Sequence, residues 1–452
     1  MKIDVTKFNI VPNTGELLTK QFQDLIDKSP RNSVFYFPKG TYMLSTIHLK
    51  SDMTIKIGRD ATILGSNDFY DYERHEQIDY PIYQDASHTY FNTSLFLGIG
   101  CKNIKILGPG KIDMQSIWDE DNIRDIVHRG AKCIALKECD DLLIDNVTIL
   151  NATDLAIYFA GCNDVIIRNC KLKVYIDGIS PDNSKNVTIE NCDVLAGDDA
   201  IAFKSSYTLN RLDICDDIVV RNCRLSSRCN AIKFGTETNG GFHNIKIHDV
   251  KIKNVRISGI AIESVDGGIV DGINIKNVTM NNVNCPFFIY LGERLRGPNG
   301  LKIGQIKNIN IEDVKISGPY RKYRSIAWNY ISFKANDFVQ NPHIFGSADH
   351  LRADAYMKNW QFSSLATGLE GHDLENITFR NIDMTLYGGV KEYNKVVPEK
   401  PLSSYPEAYV YGKILPASGF YFRFVKNLKL VNIKIKTIYP DLRDEIVKEF
   451  VK

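Results

Sequence analysis

Residues 163–172 read NDVIIRNCKL and residues 185–194 read KNVTIENCDV, one phrase written twice, with Asn169 and Asn191 22 residues apart. Upstream, DDLLIDNVTIL (140–150) places Asn146 23 residues before Asn169, and KNIKILGPGKI (102–112) is a looser copy. Downstream come DDIVVRNCRL (216–225), HNIKIHDVKI (243–252), DGINIKNVTM (271–280), KNINIEDVKI (307–316), ENITFRNIDM (375–384) and KNLKLVNIKI (426–435). A fixed period of this kind marks a stacked-repeat architecture, here with coils of about 22 residues. Within each phrase apolar and polar residues alternate, as in Val187-Thr188-Ile189-Glu190, which is the period of a strand with one buried face. No helical pattern separates the copies, so βαβ crossovers are excluded. Coils stacked ~4.7–4.8 Å apart bury the core instead. The predicted fold is all-β, a single right-handed parallel β-helix over residues 1–452 with about ten coils and with Val187 and Ile189 in its core. The asparagines and cysteines that end each phrase read as stacked turn and filler residues.

The ends of an open solenoid need separate treatment, because each exposes a core and an unpaired edge. Residues 1–45 are read as an N-terminal capping segment, with the helical spacing of ELLTKQFQDLIDK (16–28) closing that end. Residues 316–372 lack a clear coil and read as a lateral insertion, and the tail DLRDEIVKEFVK (441–452) as a closing helix.

Composition narrows the partners. Hydrophobic residues make up 44% and charged residues 24%, enough apolar matter for a large core. A net charge of +2 supplies no broad field for nucleic acid or anionic membranes, so neither is expected as a partner. The start, MKIDVTKFNIVPNTGELL, lacks the basic and apolar regions of a secretory signal, which predicts a cytoplasmic location unless a signal once preceded it. Ten cysteines without a CxxC pair read as small buried residues, with no disulfide, metal or cofactor assigned to them.

Chemistry concentrates in YIDGISPDNSKNVTIENCDVLAGDDAIAFKS (175–205). Asp198 and Asp199 are adjacent, and Asp177 precedes Asp198 by 21 residues, about one coil. A one-coil offset stacks two residues on the same face, so three carboxylates converge. Like charges ~5 Å apart at an effective dielectric of ~20 repel by roughly 3 kcal/mol per pair, a cost without purpose in a plain turn. Crowding of this kind lifts at least one pKa and sets a proton donor beside ionised bases. Asp140-Asp141 and Asp216-Asp217 occupy matching positions before strands and read as turn residues. His243 and His248 lie at strand spacing and read as surface residues. Glu237, Glu263 and Glu293 are candidate partners for sugar hydroxyls that taken singly read as solvated side chains. Trp118 is a candidate for stacking on a sugar ring.

The layout resembles the polygalacturonases, glycoside hydrolase family 28, over nearly the whole chain. VFYFPKGTY (34–42) resembles the family's early strand and turn, GPGKIDMQSIWD (108–119) its glycine-rich strand, and GDDAIAFKS (197–205) its paired-aspartate motif. Tyr175-Ile176-Asp177 stands where the family has Asn-Thr-Asp, with only the aspartate kept. The resemblance implies a pectin-lyase-like solenoid and an inverting hydrolysis in which Asp198 protonates the leaving oxygen while Asp177 and Asp199 activate water. Inversion implies an acid and base ~6.5–9.5 Å apart.

Two family motifs have changed. Cys229-Asn230-Ala231 stands at the Gly-His-Gly motif, and Ala261-Ile262-Glu263 at the Arg-Ile-Lys motif. The resemblance implies that those cations bind a uronate carboxylate, and here Asn230 and Glu263 replace two of them. Lys204 and Lys233 are the candidate replacements, each read equally as an exposed lysine on a sheet. The expected function is hydrolysis of an α-glycosidic bond in a pectin-related oligo- or polysaccharide, exo-acting and directed to a neutral sugar. Three rivals remain: a galacturonate-specific exo-polygalacturonase, a uronate lyase or epimerase using a cation, and a non-catalytic carbohydrate-binding β-helix.

Overall fold

The computed structural model describes residues 1–116, 130–318, 363–393, 403–412 and 414–452. Trp118 and most of the segment 316–372 lie outside the described residues. Strands make up 56% of the described residues and helix 5%, and the strands stack in parallel as a right-handed β-helix.

Register shows how the repeat is built. One inward file runs Ile3, Phe35, Ile55, Ile106, Ile144, Ile167, Ile189, Val220, Ile247, Ile275, Ile311, Phe379 and Leu430, each paired with the next. These side chains belong to one apolar cluster that extends through the stack, and Val187 and Ile189 are buried in it. Every second residue of each phrase feeds that cluster, which is why β-branched residues recur there.

The turn asparagines have a sharper role than filling. Asn169 and Asn191 sit at φ of 57° and 54°, a left-handed conformation that asparagine tolerates better than most residues. Their side chains form a ladder, Asn191 donating to Asn169 Oδ1 at 3.3 Å and Asn169 to Asp145 Oδ1 at 2.8 Å. Asp140 and Asp217 belong to similar ladders, accepting from Asn163 and Asn244 at 3.1 Å each. All ten cysteines are buried thiols.

At the N-terminal end, helix Thr19–Lys28 buries Phe22, Leu25 and Ile26, and the Phe22 ring meets Phe35 and Phe37 edge-on at 5.6 and 4.9 Å. Strands Lys2–Asp4, Ser33–Phe37 and Gly40–Leu44 within the same segment are already coils. The tail departs from the sequence expectation. Ile446–Val451 is a strand paired with Phe420–Tyr439, not a helix, because its β-branched residues extend the existing ladder. Within 316–372, Ser364–Thr367 likewise returns to the stack between strands at 288–290 and 420–423.

Candidate active site

Strands Ile179–Asp182, Ile201–Ser205 and Ile232–Thr238 lie on consecutive coils. Asp177 and Asp199 each stand two residues before the first and second of these, so register stacks them. The backbone tightens the stack: Asp199 N donates to Asp177 Oδ1 at 3.0 Å, and Gly178 N to the Asp199 carbonyl at 3.0 Å. Gly197 lets the chain enter this turn, since a Cβ there would lie 1.9 Å from the Tyr175 carbonyl oxygen. Oxygens of Asp177, Asp198 and Asp199 all fall within 4.8 Å of one another.

The three aspartates are therefore brought together, although the open groove expected of them is only partly realised. Asp177 and Asp199 are each 4% exposed, and Asp198 alone is half-buried. Burial pushes the Asp199 carboxyl well above the usual range; Lys233 opposes this, Asp198 and Asp177 reinforce it, and Lys204 opposes it. Like charges this close disfavour simultaneous ionisation of all three carboxyls. The same oxygens are also spaced so that they could chelate a divalent cation.

Asn230 occupies the next coil in the same file. Its backbone N and its Nδ2 both donate to Asp199 Oδ1, at 3.0 and 2.9 Å, while its Oδ1 accepts from Ser258 N at 3.0 Å. Fully buried and bonded through its side chain to Asp199 and to Ser258, Asn230 is placed as a support for Asp199, where the sequence reading had a substrate contact.

Lys204 and Lys233 are also corrected, for neither is an exposed lysine or a free cation. Lys204 is 6% exposed and donates to Glu237 Oε2 at 3.0 Å. Lys233 is 1% exposed, donates to Glu407 Oε1 at 2.9 Å and lies 3.8 Å from Glu263. Of the three glutamates read as solvated, only Glu293 is exposed. Burial opposes the charge on Glu237, yet Lys204, His88, Arg296 and Arg294 hold its pKa well below the ordinary value. Arg296 bridges Glu237 at 2.5 Å and Asp85 at 3.2 Å.

Glu263 differs from the others. It is fully buried and neither of its oxygens has a hydrogen-bond partner. Burial pushes its carboxyl up to about 8, Lys233 pulls it down and Glu407 adds to the rise. Space for it comes from Gly235 on the preceding coil, whose Cβ would lie 3.1 Å from Glu263 Oε2 and whose φ of 114° suits glycine.

The outward file across this sheet runs Leu97, Ala135, Tyr158 and then, past Ser180, Ala202, Lys233, Ala261, Phe288, Leu365 and Tyr421. Before the aspartates it is covered by an apolar cluster containing Phe91, Tyr158 and Leu209. After them it is covered by a second cluster in which Ala408, Val410, Tyr411, Leu415 and Ala417 lie on Ala261, Phe288, Leu365 and Tyr421. Among the described residues, the stretch of this face between the two covers carries the aspartates, Lys204 and Lys233. Sequence reasoning missed the segment 403–417, along with Glu407 and Tyr405, since no repeat signal links it to a strand 174 residues away.

Similarity to known proteins agrees with this architecture. The model of the glycosyl hydrolases family 28 matches residues 28–320, more than half of the chain. A probable polygalacturonase of Vitis vinifera is 27% identical over 257 residues, covering 53% of this chain and 52% of that protein. An exo-poly-alpha-D-galacturonosidase of Dickeya chrysanthemi is 23% identical over 250 residues, 44% of this chain and 41% of that one. The chain thus spans about half or less of the length of these curated relatives. Among solved structures, a hyperthermoactive exopolygalacturonase from Thermotoga maritima superposes with a TM-score of 0.67 at 16% identity, covering 95% of this chain and 91% of that one. A surface adhesin of Streptococcus pneumoniae shares the fold at a TM-score of 0.53 and 13% identity over 100% of this chain and 93% of its own, so the fold alone does not fix the activity. The family is carried by the sequence match, and the chain belongs to glycosyl hydrolase family 28.

Proposed function

We propose that this protein hydrolyses the terminal α-glycosidic bond of a pectin-related oligosaccharide and that the sugar it releases is neutral. The observation that carries the hydrolytic reading is the set of three carboxylates with oxygens within 4.8 Å, two buried and one half-exposed. Asp198, the member open to solvent, gives its proton to the leaving oxygen. A water held between Asp177 and Asp199 attacks the anomeric carbon and passes its proton to that pair, so the products are a free sugar and a shortened chain.

Support for terminal attack comes from the two apolar covers, which shorten the groove to a pit on both sides of the aspartates. Support for a neutral sugar comes from the paired state of both lysines and from Glu263, a carboxyl standing where the family motif has a cation. Whether protonated or ionised, that carboxyl supplies none of the attraction a cation offers a uronate carboxylate. The test compares turnover of α-galactosyl and α-rhamnosyl oligosaccharides with that of oligogalacturonate. Faster turnover of oligogalacturonate than of every neutral substrate overturns the neutral-sugar reading and leaves hydrolysis intact. Activity abolished by EDTA and restored by Ca²⁺ would favour the cation-dependent lyase instead.

A further inference from the structure

Tyr405 is the residue of this pit that neither the repeat nor the family motifs single out. It keeps 49% of its surface exposed, although the residues that follow it, Pro406 and Glu407, are buried. Proline after it favours an extended backbone at Tyr405. Glu407 pins the segment through its 2.9 Å ion pair with Lys233, a residue on the strand that follows Asn230. Lys233 Nζ lies 5.2 Å from the centre of the Tyr405 ring and the Arg294 guanidinium 6.0 Å from it. Arg294 is itself fixed by Asp266, at 2.9 and 2.5 Å. The ring is thus oriented by two immobilised cations without being covered by them.

The ring's place relative to the aspartates follows from Lys233, whose strand lies on the coil next to that of Asp199. A half-exposed aromatic ring held there offers a flat apolar surface on the face that carries the aspartates.

We propose that Tyr405 is the stacking platform for the C–H face of the sugar ring in this pit, set in place by the clamp of Lys233 and Glu407. The inference rests on the glycosidase reading and adds a specificity-determining residue to it. An aromatic face contributes ~0.5–1.5 kcal/mol beyond area burial, so its loss weakens binding by about 3–10-fold.

The test uses the full chain with Tyr405→Ala, Tyr405→Phe and Tyr405→Trp. Steady-state kinetics on α-galactosyl and α-rhamnosyl oligosaccharides and oligogalacturonate are paired with calorimetric binding of the same sugars to Asp198→Asn protein carrying each change. Tyr405→Ala is expected to raise KM and Kd about 3–10-fold with kcat within about 3-fold, while Phe and Trp restore both constants. Unchanged KM and Kd in Tyr405→Ala overturn the proposal. So does a parallel fall in kcat and melting temperature that Phe fails to rescue, since that pattern marks a structural tyrosine. If the wild type hydrolyses none of these sugars yet binds one, and Tyr405→Ala weakens that binding, the platform stands and the hydrolase reading falls. Absence of both hydrolysis and binding removes both.

Discussion

In the proposed reaction the chemistry turns on Asp198, because it alone of the three aspartates is both near the others and half-exposed. Asp198→Asn keeps the shape and removes the proton, so kcat is expected to fall by about 10²–10⁴ with an unchanged melting temperature. Glu263 carries a second prediction. Its folded-state pKa of about 8 lies above the ordinary glutamate value of 4.5, so between these pH values the folded chain holds a proton that the unfolded chain has lost. Stability must therefore decrease as pH rises from about 4.5 to about 8. Denaturant titrations of Glu263→Gln and wild type at pH 5 and pH 9 are expected to differ by about 1–3 kcal/mol more in favour of the variant at pH 9. A difference independent of pH would show that Glu263 is ionised in the folded protein throughout. At this scale the three aspartates were legible because a one-coil offset is a statement about register. The state of Lys204, Lys233, Glu237 and Glu263 was not, since Lys233 is held by Glu407 from 174 residues along the chain and Lys204 by Glu237, itself held by Arg296, and nothing in IAFKS or IKFGTE announces those partners.

The coil is the element from which the site is made, and its turns set the register that stacks Asp177 under Asp199. Asn191, at a φ of 54°, is a direct probe of that turn. Asn191→Gly keeps the left-handed backbone and loses one ladder bond, whereas Asn191→Ala also meets the steric cost of that conformation, roughly 1–2 kcal/mol. Urea unfolding should accordingly rank the wild type first, Gly next and Ala last; equal stability of Gly and Ala would mean the backbone relaxes out of the left-handed region. The phrase itself made these coils readable from sequence, because alternation and a 22-residue spacing leave one stacking solution. The tail was misread for a physical reason. DLRDEIVKEFVK has charges at helical spacing, but Ile446 and Val447 pair with Phe420 and Tyr421, and that open edge outweighs a short isolated helix.

Over the described residues, one continuous core holds the coils together and two outer apolar clusters flank the aspartates along the outward file. Ile189 lies in the middle of the inward file, fully buried. Ile189→Ala is expected to cost about 2–5 kcal/mol, and a shift in the unfolding midpoint beneath that range would mean the stack closes over the gap. The covers make the enzyme exo-acting in the proposed reading, so single sugars should leave from one end of a chain. The most direct measurement is a ¹H NMR time course of wild type and Asp198→Asn on α-linked neutral oligosaccharides and oligogalacturonate, following the anomeric signals of the released sugar. Hydrolysis by the three aspartates predicts monosaccharide appearing first as the inverted anomer, at a rate lowered by at least about 10² in Asp198→Asn. Release of the retained anomer would replace the water-activating pair with a carboxylate nucleophile, and an equal rate in Asp198→Asn, or no release from any substrate, would contradict the assignment of catalysis to this cluster.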